Sequence, residues 1–225
     1  MSEVVLVVVA HSDDETISMG ATIFKHVSKG DKVYVISMTD GVSSRDNVHI
    51  DDIKNRKISS NLASQELGFN WGDCYDFNDN AMDKYPLIEI VKSVEKAKLK
   101  FNPTLVYTHS GADLNIDHRV VANAVLTAFR PLPNETCKEL RLFESPSATD
   151  YGNPALTGKF CPNLFVNISN AWAHKERAIK AYSAEMRDYP HSRSIEGIKN
   201  LARLRGNQIG YELAEAFEVL RKIEQ

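Results

Sequence analysis

One short run of the chain, His11-Ser12-Asp13-Asp14-Glu15, carries an imidazole and three carboxylates directly after an apolar stretch. A second run, Asp113-Leu114-Asn115-Ile116-Asp117-His118, brings acids and a histidine together again. Imidazole nitrogen and carboxylate oxygen are donors that suit zinc or a related ion such as iron. A catalytic ion takes three protein ligands and keeps a position open for water. His11, His118 and one of Asp13 and Asp14 would supply the three. Such an ion brings the pKa of a water to roughly 7 from about 15.7. The aspartate left over would then serve as general base, so two adjacent aspartates have two separate tasks. Ser12 to Glu15 also fits a capping box, with a serine N-cap and a glutamate three residues on. Acids near a helix N-terminus are favourable in any case. The capping reading leaves His11 and the second run unexplained, and a metal explains both.

The elements that must carry these residues alternate along the chain. Val4–Ala10 is continuous, apolar and β-branched, as in a strand buried on both faces. From Glu15 onward, apolar residues at Ile17, Ala21, Phe24 and Val27 have helical spacing, closed by Gly30. Further strands are expected at Val33–Met38, Cys74–Phe77, Thr104–Thr108, Leu140–Glu144 and Leu164–Ile168. Helices are expected at Asp51–Leu67, Leu87–Phe101, Asp117–Phe129, Ala171–Tyr182 and Ile195–Leu220, the last broken near Gly206 and Gly210. This order predicts an α/β fold: a Rossmann-like, mostly parallel sheet with helices on both faces. Residues 1–225 read as a single domain, less regular from about 131 onward. In such a sheet, sites form beyond the carboxyl ends of the strands. The loops after Ala10, Met38 and Thr108, the last opening with His109, should therefore converge. Asp40, after the second strand, would brace the metal loop from behind. A dinucleotide site is not indicated, because the first turn has no glycine before Gly20.

Composition narrows the class. The net charge of −3 and the absence of a basic stripe argue against nucleic acid as a partner. No run approaches the ~18 apolar residues of a membrane span. The short first apolar run lacks a basic start, so a cytoplasmic location is expected. Cys74, Cys137 and Cys161 are far apart and form no thiolate pair. Oligomeric state is not legible, and a homo-oligomer is left open.

The motifs resemble a known family. "AHSDDE" closely resembles the AHPDDE motif of the PIG-L / LmbE-like zinc-dependent N-deacetylases, and "DLNIDHR" resembles that family's second motif. "RKISSNLASQELG", "NDNAMD" and "YSAEMRDYPHSRS" resemble its arginine-bearing helix, its acidic loop and a C-terminal segment of one branch. The resemblance covers most of the chain, in order. It implies a Rossmann-like fold and removal of the acetyl group from an N-acetylated amino sugar, of N-acetylglucosamine type, free, nucleotide-linked or otherwise conjugated.

It also implies roles. His11, Asp14 and His118 would hold one Zn2+, with Fe2+ as the other choice of ion, and Asp13 would be the base. Arg56 and Asp79 would line the substrate pocket. Two positions depart from the pattern. Ser12 replaces a proline, which a good N-cap tolerates. Asn115 stands where the second motif often has a histidine that helps to stabilise the transition state. Asn115 can donate a hydrogen bond there but no proton, and His109 or His191 would substitute. Arg187 and Arg193 flank His191 and suit either a phosphate or ordinary surface pairs. Arg56 has a nearer structural alternative, a pair with Asp52 one turn away. His26, His49 and His174 have no supporting residues, and His26 and His174, in expected helices, read as structural or surface residues. Two rival functions stand beside the deacetylase: a same-fold amidase on a non-sugar N-acyl compound, and a sugar-binding protein without catalysis.

Overall fold

The computed structural model describes residues 2–44 and 50–224. Seven strands form one sheet in the order β3-β2-β1-β4-β5-β7-β6. β1 (Val4–Val9), β2 (Lys32–Thr39), β3 (Asn70–Phe77), β4 (Leu105–His109) and β5 (Glu139–Phe143) run parallel. β7 (Ala214–Lys222) pairs antiparallel with both β5 and β6 (Leu164–Asn167). The architecture is the expected α/β sheet, mostly parallel and covered on both faces.

β1 lies inside the sheet between β2 and β4, and its unbroken apolar run follows from that position. Leu6, Val8 and Ala10 face one layer, with Ile36, Met38 and Val106 beside them. That layer is closed by α3 (Leu87–Phe101) and α4 (Ile116–Ala128). Val5, Val7 and Val9 face the other layer, packed with Val35, Tyr107 and Phe217 under α1 (Asp14–Ser28), α2 (Ile50–Leu67) and α6 (Trp172–Ala181). Each of these side chains is fully buried, contributing about 1.5–3 kcal/mol relative to exposure for a valine or leucine. A strand read from both faces has no polar alternation to show.

Several elements differ from the expectations. β3 begins at Asn70, four residues before the expected Cys74. A four-residue helix, α5 (Pro154–Thr157), was not anticipated. The expected helix Ile195–Leu220 ends early: α7 spans Ile195–Asn207, and the rest of that stretch belongs largely to β7. Gly206 and Gly210, the latter at φ +75, allow the chain to turn between them. Apolar residues at Ala214, Ala216 and Phe217 fit a helical period as well as a strand, and pairing with β5 and β6 decides for the strand.

β7 also shapes the helix that bears the first motif. α1 is kinked at Met19 (φ −137, ψ 21). The N–H groups of Ala21 and Thr22 donate to the Glu215 carboxylate at 3.1 and 2.7 Å. Lys175 from α6 donates to the same carboxylate at 2.6 Å. A buried ion pair on the last strand thus caps the inner half of α1.

Candidate metal and catalytic centre

The carboxyl ends of β1 and β4 meet at a cluster of buried polar groups. The α1 start departs from a capping box. Ser12 accepts from Arg56 Nε at 3.2 Å, and Glu15 accepts from Thr16 and from the Tyr182 hydroxyl. Asp14 reaches back instead, accepting the His11 backbone N–H at 2.9 Å and lying 3.1 Å from His11 Nδ1. Burial pushes the Glu15 carboxyl up to about 8.

His118 sits in the first turn of α4, which Asn115 caps by accepting the Asp117 N–H at 2.8 Å. That turn brings His118 Nε2 to 3.4 Å from both Asp14 Oδ2 and His11 Nδ1. The ligating atoms of His11, Asp14 and His118 all fall within 4.8 Å of one another, and all three residues are buried. The outer face of each imidazole is fixed by a carboxylate. His118 Nδ1 lies 2.8 Å from Asp113 Oδ2. His11 Nε2 lies 3.0 Å from Asp79 Oδ1 and 3.3 Å from Asp117 Oδ2. This is the pattern that orients ring nitrogens toward a metal.

The electrostatics fit the same purpose. Burial lowers the His11 and His118 pKa values, but the Asp14 charge and carboxylate hydrogen bonds outweigh it and raise both. Burial raises Asp14, yet the three surrounding histidines hold it well below the usual carboxylate range. Asp14 Oδ1 is buried with no hydrogen-bond partner, and neither oxygen of Asp13 has one. Two imidazoles and a carboxylate, buried and converging, with a carboxylate oxygen to spare, match the N,N,O donor set of zinc or ferrous iron.

Beside this cluster opens a cavity of about 420 Å³, within the usual range of small-ligand sites. His11, Asp13, Arg56, Asp79, Asn115 and Arg193 all line it. Arg56 pairs with two acids of the site. Its guanidinium lies 3.1 Å from Asp13 Oδ1 and 2.9 Å from Glu185 Oε1. Gly41, at φ +67, makes room for it: a Cβ there would stand 2.6 Å from Arg56 Nε. Asp79 accepts from Ser44 Oγ at 2.6 Å, and burial, offset by its bond to His11, leaves its pKa at about 2. Asn115 Nδ2 donates to Asn80 at 3.3 Å.

Other expected residues stand elsewhere. His191 is not part of the cavity wall; its Nδ1 accepts the Arg193 backbone N–H at 3.0 Å. His109 is fully buried behind the cluster, stacked on His118 with ring centroids 3.9 Å apart. Its Nε2 accepts the Ala10 N–H at 2.9 Å, and burial holds its pKa well below normal, so it is neutral. His109 therefore supports the His118 ring and cannot take the place of a histidine facing substrate. Asp40 Oδ1 accepts from the N–H groups of Val42 and Ser43, so it shapes its own loop rather than bracing the metal loop. His26 and His174 pair with Asp31 and Glu66; His49 lies outside the described residues.

Three acids were not singled out for the site by sequence. Asp113 orients His118. Asp117 joins His11 to the N–H groups of Asn80 and Met82, and Glu185 grips Arg56. Asp113 and Asp117 at least lie inside the second motif. Glu185 lies in the segment YSAEMRDYPHSRS, but nothing there distinguishes it from its neighbours, and it reaches the site through the turn after α6.

Comparison with known proteins bears on the fold and the family. The N,N'-diacetylchitobiose deacetylase of Pyrococcus horikoshii has a similar structure, with TM-score 0.76 and 22% identity over 98% of this chain and 84% of that one. The A40926 pseudoaglycone deacetylase Dbv21 has TM-score 0.75 and 19% identity over the whole of both chains. The 4-carboxy-2-hydroxymuconate hydratase GalB of Pseudomonas putida KT2440 has TM-score 0.79 and 19% identity over 100% of this chain and 98% of that one. At these identities the likeness carries the fold, and a hydratase on the same fold shows that fold does not fix the reaction. No curated protein matches the sequence. The model of one family, PIG-L, described as GlcNAc-PI de-N-acetylase, matches residues 6–129. That span is more than half of the chain and runs from β1 to the end of α4, holding every residue of the N,N,O cluster. The chain therefore belongs to the PIG-L family.

Proposed function

We propose that the protein is a metal-dependent hydrolase that removes the acetyl group from an N-acetylated amino sugar. The observation that carries the reading is the Asp13 carboxylate. It is buried, is held on one oxygen by Arg56 at 3.1 Å, and opens onto the cavity beside the convergent His11, Asp14 and His118. His11, Asp14 and His118 would hold a zinc or ferrous ion, which when bound acidifies a water and polarises a carbonyl.

The chain's own groups then divide the work. Asp13 takes the proton of the attacking water as it adds to the acetyl carbonyl. It returns that proton to the sugar nitrogen as the C–N bond breaks, releasing acetate and a free amine. Arg56 holds one Asp13 oxygen and leaves the other toward the cavity. Asp79 and Asn115 offer an acceptor and a donor for sugar hydroxyls. Asn115 also supplies a neutral dipole where charge develops on the carbonyl oxygen. His191 acts indirectly, by holding the backbone that presents Arg193.

The test is acetate release by the metal-loaded protein from a panel of N-acetyl hexosamines, their conjugates and non-sugar acetamides. The expected result is turnover of an acetamido sugar and none of the simple amides. Turnover confined to a non-sugar amide would move the assignment to the amidase. Tight sugar binding without acetate release would identify a binding protein.

A further inference from the structure

We infer that Glu185 is a positioning residue for the base: by drawing the Arg56 guanidinium to one side, it leaves the Asp13 carboxylate balanced in charge and free to accept a proton. The inference rests on the reading of Asp13 as the base of a deacetylation.

A guanidinium beside a carboxylate commonly closes on it as a fork, with two parallel N–H···O bonds that occupy both oxygens. Arg56 and Asp13 do not form that fork. Arg56 Nη2 stands 3.1 Å from Asp13 Oδ1, yet neither Asp13 oxygen accepts a hydrogen bond. The rest of the guanidinium is turned elsewhere. Nη1 pairs with Glu185 Oε1 at 2.9 Å, and Nε donates to Ser12 Oγ at 3.2 Å. Asp13 Oδ2 meets only the ion pair of Arg193 Nη1 at 3.6 Å, too long for a hydrogen bond. The buried carboxylate thus lies beside two positive charges and keeps its lone pairs. Both conditions matter for a base. A buried carboxylate without a counter-charge would hold its proton at working pH, and one closed in a fork would have no oxygen to offer.

Glu185 stands on a braced support. It ends the single helical turn Ser183–Glu185. Its N–H donates to the Tyr182 carbonyl at 2.8 Å, and the Met186 N–H donates to the Ser183 carbonyl at 3.3 Å. Tyr182 anchors the turn in the core, and its hydroxyl donates to Glu15 Oε1 at 3.1 Å. Glu15 lies two residues from Asp13 at the start of α1, so the turn that carries Glu185 is tied to the helix that carries the base. The Glu185 side chain is only 16% exposed and sits in the cavity wall. Glu185 and Arg193 both lie beyond residues 6–129, the span that the family model matches. The two groups that set the Arg56 and Asp13 geometry from outside therefore come from the later part of the chain.

The test compares the metal-loaded full chain with its Glu185→Gln variant. Crystal structures of the two give the direct readout. Without the Glu185 charge, the Arg56 guanidinium should close on Asp13 and bring both carboxylate oxygens within hydrogen-bond distance. An Arg56 that keeps its parent position overturns the inference. Acetate release from the best acetamido sugar of the panel gives the kinetic readout. Glu185→Gln should lower kcat about 10- to 100-fold with KM within about twofold of the parent, because the base is misplaced and the substrate contacts are not. Since Glu185 acts through Arg56, the same change should cost nothing further in an Arg56→Gln background. A raised KM with kcat unchanged would make Glu185 a substrate contact, and additive losses in the double variant would separate it from Arg56; either result overturns the inference. A closed fork in Glu185→Gln, with no acetate released by the parent from any amide, would overturn the deacetylase reading and keep the positioning of Asp13.

Discussion

The two ends of the sheet both bury histidine, carboxylate and arginine, yet they are finished differently. At the amino end, Arg141 donates to the Tyr107 oxygen, the Tyr107 hydroxyl lies 3.0 Å from His26 Nε2, and His26 Nδ1 lies 2.7 Å from Asp31. Asp31 also accepts the Glu3 N–H at 2.9 Å. Each of these groups has its partner, and the chain of bonds ties β4, β5 and the α1–β2 turn together. At the carboxyl end, Asp14 Oδ1 is buried without a partner, the Asp13 carboxylate meets only the ion pairs of Arg56 and Arg193, and two imidazole nitrogens face each other across 3.4 Å. A folded chain keeps such a cluster only where something else completes it. The satisfied end is structure; the unsatisfied end is chemistry.

Substitutions at the two ends should therefore have opposite signatures. The largest effect is expected of Asp13→Asn, with kcat falling by about 10²–10⁴-fold while metal content stays at the parent value. Loss of metal together with activity would show that Asp13 is a ligand and not the base. Next is Asp113→Asn, which frees the outer nitrogen of His118 and should weaken metal affinity about 10–100-fold in a competition titration with a chelator. An unchanged affinity would dismiss the Asp113 bond as incidental. At the satisfied end, Tyr107→Phe leaves Arg141 and His26 short of a partner and should cost about 1–3 kcal/mol of stability in denaturant unfolding. Its kcat/KM should match the parent, and a catalytic defect would erase the distinction between the ends.

The smallest effect is a pH dependence of stability. Burial outweighs Asp31 and keeps His26 below its usual 6.5, so the folded state resists protonating it. The unfolded chain takes that proton first, and stability falls as pH drops below about 6.5. Burial of Asp31 is offset by His26 and the Glu3 N–H, leaving its carboxyl below 3.8. Its contribution is present above that value and is lost as pH falls further. Thermal midpoints measured from pH 7 downward should show the first loss in the parent and not in His26→Gln; identical curves would contradict the assignment.

The sequence made one end far more legible than the other, for physical reasons. β1 and the two acid-and-histidine runs are local patterns, and a central strand with polar residues at its carboxyl end announces both fold and site. The partners that complete the site are tertiary. Glu185 and Ser44 come from separate loops, and no spacing in the chain relates them to Arg56 or Asp79; Asn80 is the neighbour of Asp79, but nothing in the chain ties it to Asn115. His191 illustrates the converse: its neighbours marked it as a candidate, but the turn directs its ring to the Arg193 backbone. The amino-end network left no trace, since His26, Asp31, Tyr107 and Arg141 are ordinary residues until the sheet assembles them. β7 was misread because its apolar residues fit two periods, and only the open edges of β5 and β6 choose between them.

The most direct test of the central claim is the metal content of the purified, reloaded protein beside His11→Ala and His118→Ala, all three shown to be folded. The account predicts about one equivalent of zinc or iron per chain in the parent and loss of it in both variants. A parent that takes up no metal, or variants that both retain it, would contradict the claim that the ends of β1 and β4 meet to hold an ion.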